Sequence, residues 1–251
     1  MTAPLFLLEP GDLSEVAPGD TLLLDGSEGR HAATVRRIGV GEKVDVGDGA
    51  GAVARCEVRE VVGAERREGL RLLVLAVDEV PVPDLRFVLV QALAKGGRDD
   101  LAIETATELG VDEVVPWQAA RSVVVWRGPR GEKAQASWVS TVRAAAKQSR
   151  RPRVPVVAPV ETSRELADRV SAAALAVVLH EDAPTPLGSL ALPDVGDVVL
   201  VVGPEGGISP DELRQLSDAG AVSARLGPHV LRSSTAGPAA LAVLSAAARW
   251  G

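Results

Sequence analysis

Residues 1–76 are dominated by short runs in which apolar and polar positions alternate. The clearest is EKVDVGDGAGAVARCEVREVV (residues 42–62), where valines alternate with charged residues and Gly-Asp-Gly marks a turn. Half-buried strands joined by tight turns follow from that pattern, and residues 1–76 are expected to form a small β-barrel. The next stretch, DEVPVPDLR (residues 78–86), carries prolines that can continue neither a helix nor a central strand. A domain boundary is expected there, with a second domain over residues 77–251.

From residue 86 the period changes. RFVLVQAL, VDEVVPW, ALAVVLH and DVVLVVGPEGGIS read as apolar strands, separated by helical stretches such as DDLAIETATELG and a long helix around Trp138–Ser149. Continuous apolar strands alternating with helices predict an α/β domain with a mostly parallel sheet covered on both faces. SPDELRQLSDAG carries its own boundaries: Ser209 as N-cap, Pro210 in the first turn, Glu212 at the capping-box position and Gly220 as the stop. A short strand, SARLG, precedes HVLRSSTAGPAALAVLSAAARW, a Ser/Thr-rich turn opening into an Ala-rich terminal helix.

Composition narrows the class. With 46% hydrophobic and 24% charged residues over 251 positions, the chain can bury a substantial core and is unlike disordered sequences. The single cysteine, Cys56, excludes an internal disulfide, and no cluster has metal-ligand spacing, so no metal is expected. Apolar runs are broken before membrane-spanning length, and the N-terminus lacks a basic export signal; a cytoplasmic protein without a membrane partner is expected. The net charge of -7 weighs against nucleic acid, yet the arginines cluster. Arg30 and Arg36, then Arg121, then RAAAKQSRRPR with Arg150, Arg151 and Arg153 form basic stretches. These are either an RNA footprint or solvated faces.

Gly203, Gly206 and Gly207 lie between an apolar strand and a helix, where glycine permits tight turns and close backbone approach to a ligand. The spacing G-P-E-G-G matches neither the dinucleotide fingerprint nor a P-loop, so a cofactor of another kind is favoured.

Val202-Gly203-Pro204-Glu205-Gly206-Gly207-Ile208-Ser209, followed by Leu226-Gly227 and Val230-Leu231-Arg232-Ser233-Ser234-Thr235-Ala236, resembles the paired C-terminal signatures of the SPOUT methyltransferases. More narrowly the chain resembles the RsmE family. That likeness extends through QALAKG (residues 91–96), ATELG (106–110), Arg121-Ser122-Val123, Gln148-Ser149 with Arg151, and Arg30-His31 with Arg36 in the first domain. The resemblance implies a PUA-like barrel, then a SPOUT α/β domain with a C-terminal trefoil knot. It further implies S-adenosylmethionine as cofactor, a uridine N3 in 16S ribosomal RNA of the small subunit as target, and a homodimer. The residues implied to hold the cofactor are His180, Val202, Gly203, Pro204, Glu205, Gly206, Gly207, Leu226, Gly227, Leu231, Ser233, Ser234, Thr235 and Ala236. Where the family commonly carries Thr-Glu-Thr-Ala, this chain has a hydroxyl, Ser234, in place of the carboxylate.

Methyl transfer from a sulfonium is an in-line displacement, so alignment and charge stabilisation do most of the work. Arg232 is the candidate catalytic cation for a uracil anion, the alternative being a structural salt bridge. Glu205, the second catalytic candidate, either accepts hydrogen bonds from ligands or holds its own loop. His31, with Arg30, Arg36, Arg121, Arg150, Arg151 and Arg153, is assigned to RNA contact; His229 and the tryptophans 117, 126 and 138 are read as structural. A ribose 2'-O-methyltransferase and a non-catalytic RNA-binding assembly factor are the alternatives.

Overall fold

The computed structural model describes residues 3–63 and 68–250. It separates into two units: Met1–Val82 with Ala146–Val154, and Pro83–Ala145 with Pro155–Gly251.

The first unit is built on strands β1 (Leu5–Leu7), β2 (Thr21–Leu24), β3 (Lys43–Gly47), β4 (Ala52–Val62) and β5 (Gly69–Glu79), in the order β1-β3-β4-β5-β2. β1 runs parallel to β3, and the other neighbours are antiparallel. Alternation does what the sequence pattern requires: Ala52, Ala54, Cys56 and Val58 of β4 are buried while Arg55 and Arg59 are exposed. Register shifts at Arg55/Cys56 and Val58/Glu60 are the irregularities that bend a strand around a core. Among the described residues the five strands enclose one core, with β1 and β2 at the two ends of the hydrogen-bonded order. Helix α1 (Gly26–Arg30) and the π-helical turn His31–Val35 complete the core of Phe6, Leu24, Ala32, Val44, Leu70 and Leu72. Burial in it pushes the Cys56 thiol up to about 12. In the Gly-Asp-Gly turn, Asp48 Oδ1 accepts hydrogen bonds from the N–H groups of Ala50 and Ala52, at 2.8 and 3.1 Å.

Two boundaries differ from the sequence reading. β5 runs on to Glu79 because Asp78 and Glu79 still pair with Val53 and Ala52, so the break falls at Val82, inside the proline stretch. The segment Ala146–Val154, expected in the second domain, belongs to the first unit for local reasons. Lys147 Nζ donates to Glu28 Oε1 at 2.8 Å and lies over the Phe6 ring, Arg153 Nε donates to Val80 O at 2.8 Å, and Val154 N donates to Gly49 O at 2.9 Å.

The second unit holds strands β6 (Leu85–Ala92), β7 (Glu113–Gln118), β8 (Val156–Val157), β9 (Glu161–Thr162), β10 (Leu175–Leu179), β11 (Thr185–Pro186), β12 (Gly196–Val202) and β13 (Val222–Arg225). Their order is β11-β13-β10-β12-β6-β7-β8, with β9 also on β7, and every pairing is parallel. Helices α2 (Arg98–Glu108), α3 (Gly128–Gln148), α4 (Ser163–Ala172), α5 (Pro210–Asp218) and α6 (Ser233–Ala248) surround it. Val88, Val90 and Ala92 of β6 pack with Leu166 of α4 and Leu216 of α5, whereas Leu89 faces Gly237 of α6. Residues one apart on β6 thus serve opposite faces, which is why these strands read as unbroken apolar runs. Trp117 and Trp138 are fully buried, and Trp126 sits edge-on to Trp138, so these tryptophans pack.

Candidate cofactor and catalytic site

Because the sheet is parallel, the loops after β6, β7, β10, β12 and β13 all leave from one edge, and the chain reverses its direction of strand addition between β7 and β10. Ligands of open α/β sheets bind at such an edge and switch point. A cavity of about 580 Å³ lies there. It is lined by Arg98 after β6, Arg121 after β7, Leu179–Asp182 after β10, Val202–Ile208 after β12, and Val230–Ser233 with Ala236 at the start of α6. A smaller cavity of about 70 Å³ shares His180, Leu231 and Ala236 and adds Leu226, Gly227 and His229.

The glycine loop needs its glycines for different reasons. At Gly203 a Cβ would stand 2.7 Å from Ile208 Cγ1, so the side chain that starts the next turn occupies that space. Gly207 has φ +73° and its N–H donates to Pro204 O at 2.9 Å; the turn closes in the left-handed region that L side chains rarely enter. Arg121 braces the loop, with Nη1 donating to Gly206 O at 3.0 Å. On the other flank Arg98 Nη1 donates to Glu205 Oε1 at 2.7 Å. Burial would raise the Glu205 carboxyl, but hydrogen bonds from its own N–H, from Arg98 and from Lys95 N–H, with the Arg98 charge, hold it below the usual carboxylate range. Glu205 is therefore an ionised loop anchor and a weak base.

Downstream, Ser209 and Glu212 form the capping box of α5, with Pro210 in its first turn. Arg232 is the N-cap of α6; its carbonyl accepts from Thr235 N at 2.8 Å and Ala236 N at 2.9 Å, and its side chain is exposed beside the cavity. Ser233 Oγ is buried without a hydrogen-bond partner.

The cavities thus bring together twelve of the cofactor candidates: His180, Val202, Gly203, Pro204, Glu205, Gly206, Gly207, Leu226, Gly227, Leu231, Ser233 and Ala236, of which His180, Leu231 and Ala236 line both. Ser234 and Thr235 line neither: Ser234 is buried in the first turn of α6 and Thr235 points to solvent. Of the RNA candidates, Arg121 lies at the cavity itself, while Arg30, Arg36 and Arg150 are exposed on the first unit and Arg151 is half-buried there. His31 packs edge-on to Phe6, with ring centroids 6.3 Å apart, and Arg153 is committed to Val80 O and Glu79. Sequence reasoning missed Arg98, which follows QALAKG at the carboxyl end of β6; the rule that ligands gather at strand carboxyl ends could have found it.

A glycine-built, partly cationic cavity at the carboxyl edge of a parallel sheet defines an α/β domain made to hold a small cofactor, here joined to a separate β unit. The RNA methyltransferase domain family model matches residues 81–245, and the RNA methyltransferase PUA domain model matches residues 24–64. Ribosomal RNA small subunit methyltransferase E of Mycobacterium bovis is 48% identical over 237 residues, spanning 92% of this chain and 89% of its own. The Bacillus subtilis protein of that name is 29% identical, over 92% of both chains. A crystal structure of the Neisseria gonorrhoeae enzyme of that name, bound to S-adenosyl methionine, superposes with a TM-score of 0.84 at 28% identity, covering 98% of each chain. The chain belongs to the RsmE family of RNA methyltransferases.

Proposed function

We propose that this protein methylates ribosomal RNA of the small subunit at N3 of a uridine, with S-adenosylmethionine as donor. Family membership supports the reaction and the cofactor; the uridine and its N3 rest on the resemblance. The residues fit the cofactor: Gly203 and Gly207 allow the tight turn that lines the cavity, one against Ile208 and one through its left-handed φ, and the buried, unpartnered Ser233 Oγ stands ready for a polar ligand atom. His180, Val202–Gly207, Leu226, Gly227, Leu231, Ser233 and Ala236 would hold it. When bound, the cofactor supplies an electrophilic methyl group on a sulfonium.

The observation that carries the catalytic assignment concerns the arginines of the cavity. Arg98 is paired with Glu205 and Arg121 with Gly206 O, whereas the Arg232 guanidinium has no hydrogen-bond or ion-pair partner among the described residues. A structural salt bridge at Arg232 therefore lacks a counter-ion, and a planar donor fork is left facing the cavity. As N3 of the uracil gives up its proton to solvent water and takes the methyl group in its place, negative charge that spreads to the flanking carbonyl oxygens is stabilised by such a fork. Glu205, held ionised, keeps the loop in place and takes no proton in this scheme.

Arg30, Arg36, Arg121, Arg150 and Arg151 are proposed to contact RNA phosphates; His31 and Arg153 serve the fold of the first unit. The reading includes the trefoil knot, which the insertion of late-coming β12 between β10 and β6 supports, a homodimer and a cytoplasmic location. Among the described residues no helix is long and apolar enough to cross a membrane. Mass spectrometry and primer extension on small-subunit RNA from cells with and without the protein test the reaction. An N3-methyluridine that stops reverse transcriptase is expected only with the protein; a ribose 2'-O-methyl group, or no change, overturns the reading.

A further inference from the structure

The two capping boxes of the second unit differ in a way that helix capping does not explain. In α4, the side chains of Thr162 and Glu165 serve the capping box through Oε2 of Glu165, with no other side-chain partner among the described residues, and both are exposed. In α5, Glu212 Oε2 does the same work, accepting from Ser209 N at 3.1 Å and Ser209 Oγ at 2.7 Å. Its second oxygen is committed elsewhere: Oε1 accepts from Ala120 N, 92 residues away, and from Ser163 Oγ, 49 residues away, each at 2.7 Å. Ser163 Oγ in turn accepts from Trp117 Nε1 at 3.2 Å. The Glu212 residue is 5% exposed. One buried carboxylate thus joins the ends of β7 and β9 to the first turn of α5. The residue after Ala120 is Arg121, which braces Gly206, and the residue before Ser209 is Ile208, which fills the space at Gly203.

We propose that Glu212 is a positioning residue for the cofactor loop: its carboxylate fastens the Ala119–Arg121 turn to the start of α5 and so sets Arg121 against the Gly206 carbonyl. Its consequence for methyl transfer rests on the function proposed above; the positioning itself does not. All four groups converging on the carboxylate are donors, two of them backbone N–H groups that cannot reverse. A carboxylate satisfies the four together. An amide of the same shape brings two N–H donors of its own, so whichever way it turns it meets a backbone N–H donor and leaves it unpaired.

The test is Glu212→Gln in the full chain, read first by hydrogen exchange without cofactor. Exchange is expected to accelerate about tenfold or more, together, in the peptides covering Ala119–Ser122 and Glu205–Ile208, while the first unit is unchanged. Ser209→Ala, which removes only the capping partner of Oε2, is expected to loosen the first turn of α5 and spare Ala119–Ser122. Should Glu212→Gln fail to fold, Ser163→Ala strips one donor from Oε1 and is expected to speed exchange at Ala120 with α5 intact. Calorimetric titration with S-adenosylmethionine then gives a double-mutant cycle: Glu212→Gln and Arg121→Ala each weaken binding about tenfold, and the double variant no further. Independent, additive losses overturn the proposal, as does unchanged exchange at Ala119–Ser122. Wild-type protein that binds no S-adenosylmethionine refutes the function instead, since the exchange experiment needs no cofactor.

Discussion

At Gly207 the conformational demand of the cofactor loop has a definite size. Its φ of +73° lies in the left-handed region, but the space beside it is open: an added Cβ would find Arg121 Nη1 at 3.8 Å as its nearest neighbour, an ordinary contact. The penalty of a substitution is therefore conformational rather than steric. An L-residue in that region costs roughly 1–2 kcal/mol, least for Asn and most for a β-branched side chain. The loop is exposed at residues 205–207, so it can relax without unfolding the sheet, and the penalty then appears as a reduced fraction of binding-competent loop. At 1.4 kcal/mol per decade, Gly207→Ala should weaken S-adenosylmethionine binding about fivefold and Gly207→Val about thirtyfold, with Gly207→Asn closest to wild type. Isothermal titration measures the affinities, and a thermal melt within a few degrees of wild type certifies the fold. Wild-type affinity in a folded Val variant, or Ala and Val equally harmful with Asn no better, would refute the argument.

Arg232→Lys keeps the charge and loses the planar fork; single-turnover methylation should fall ~100-fold with little change in cofactor affinity, and a rate within a few-fold of wild type would remove its catalytic role. Neutralising exposed Arg150 should flatten the log–log salt dependence of RNA binding by about one unit. Arg153→Ala should instead lower the melting temperature, because Arg153 ties Ala146–Val154 to Val80 and Glu79. The acid response follows from the depressed Glu205 carboxyl: the tie to Arg98 is fully present above the unfolded-state value and lost only as pH falls through the lower folded one. The melting-temperature difference between wild type and Glu205→Gln should thus be flat from about pH 8 to pH 5 and shrink in more acid solution; shrinkage already between pH 7 and pH 6 contradicts it.

The α/β order was legible because the central strands β6, β7, β10 and β12 are buried on both faces and the helices are not, so the two periods separate cleanly in the sequence. The α5 boundaries were legible because Ser209, Pro210, Glu212 and Gly220 act through bonds a few residues long. What stayed hidden was set by contacts across the chain. The pattern RAAAKQSRRPR reads as the end of a helix and a basic stripe. Nothing local says that Lys147 will find Glu28, or Arg153 the carbonyl of Val80, 73 residues back. The strand order of the first sheet was likewise illegible, since alternation fixes which residues face a core and is silent about which strands pair.

The site follows the same division, and it changes how its arginines are understood. Residue type and clustering made Arg121, Arg150, Arg151 and Arg153 look alike, as phosphate ligands on a solvated surface. Their donors have different commitments: Arg121 spends one on the Gly206 carbonyl and Arg153 two on the first unit, while Arg98, which no motif brought forward, is fixed by Glu205. A guanidinium already bound to its own protein can shape a cavity but has fewer donors to offer a substrate whose charge grows during reaction. Arg232 differs because the residue that caps α6 holds its backbone through Thr235 and Ala236 while its side chain is left unpaired at the cavity. Backbone fixed and donor fork uncommitted is the combination that preorganised charge stabilisation requires, and it can be recognised only once the partners of the neighbouring arginines are known.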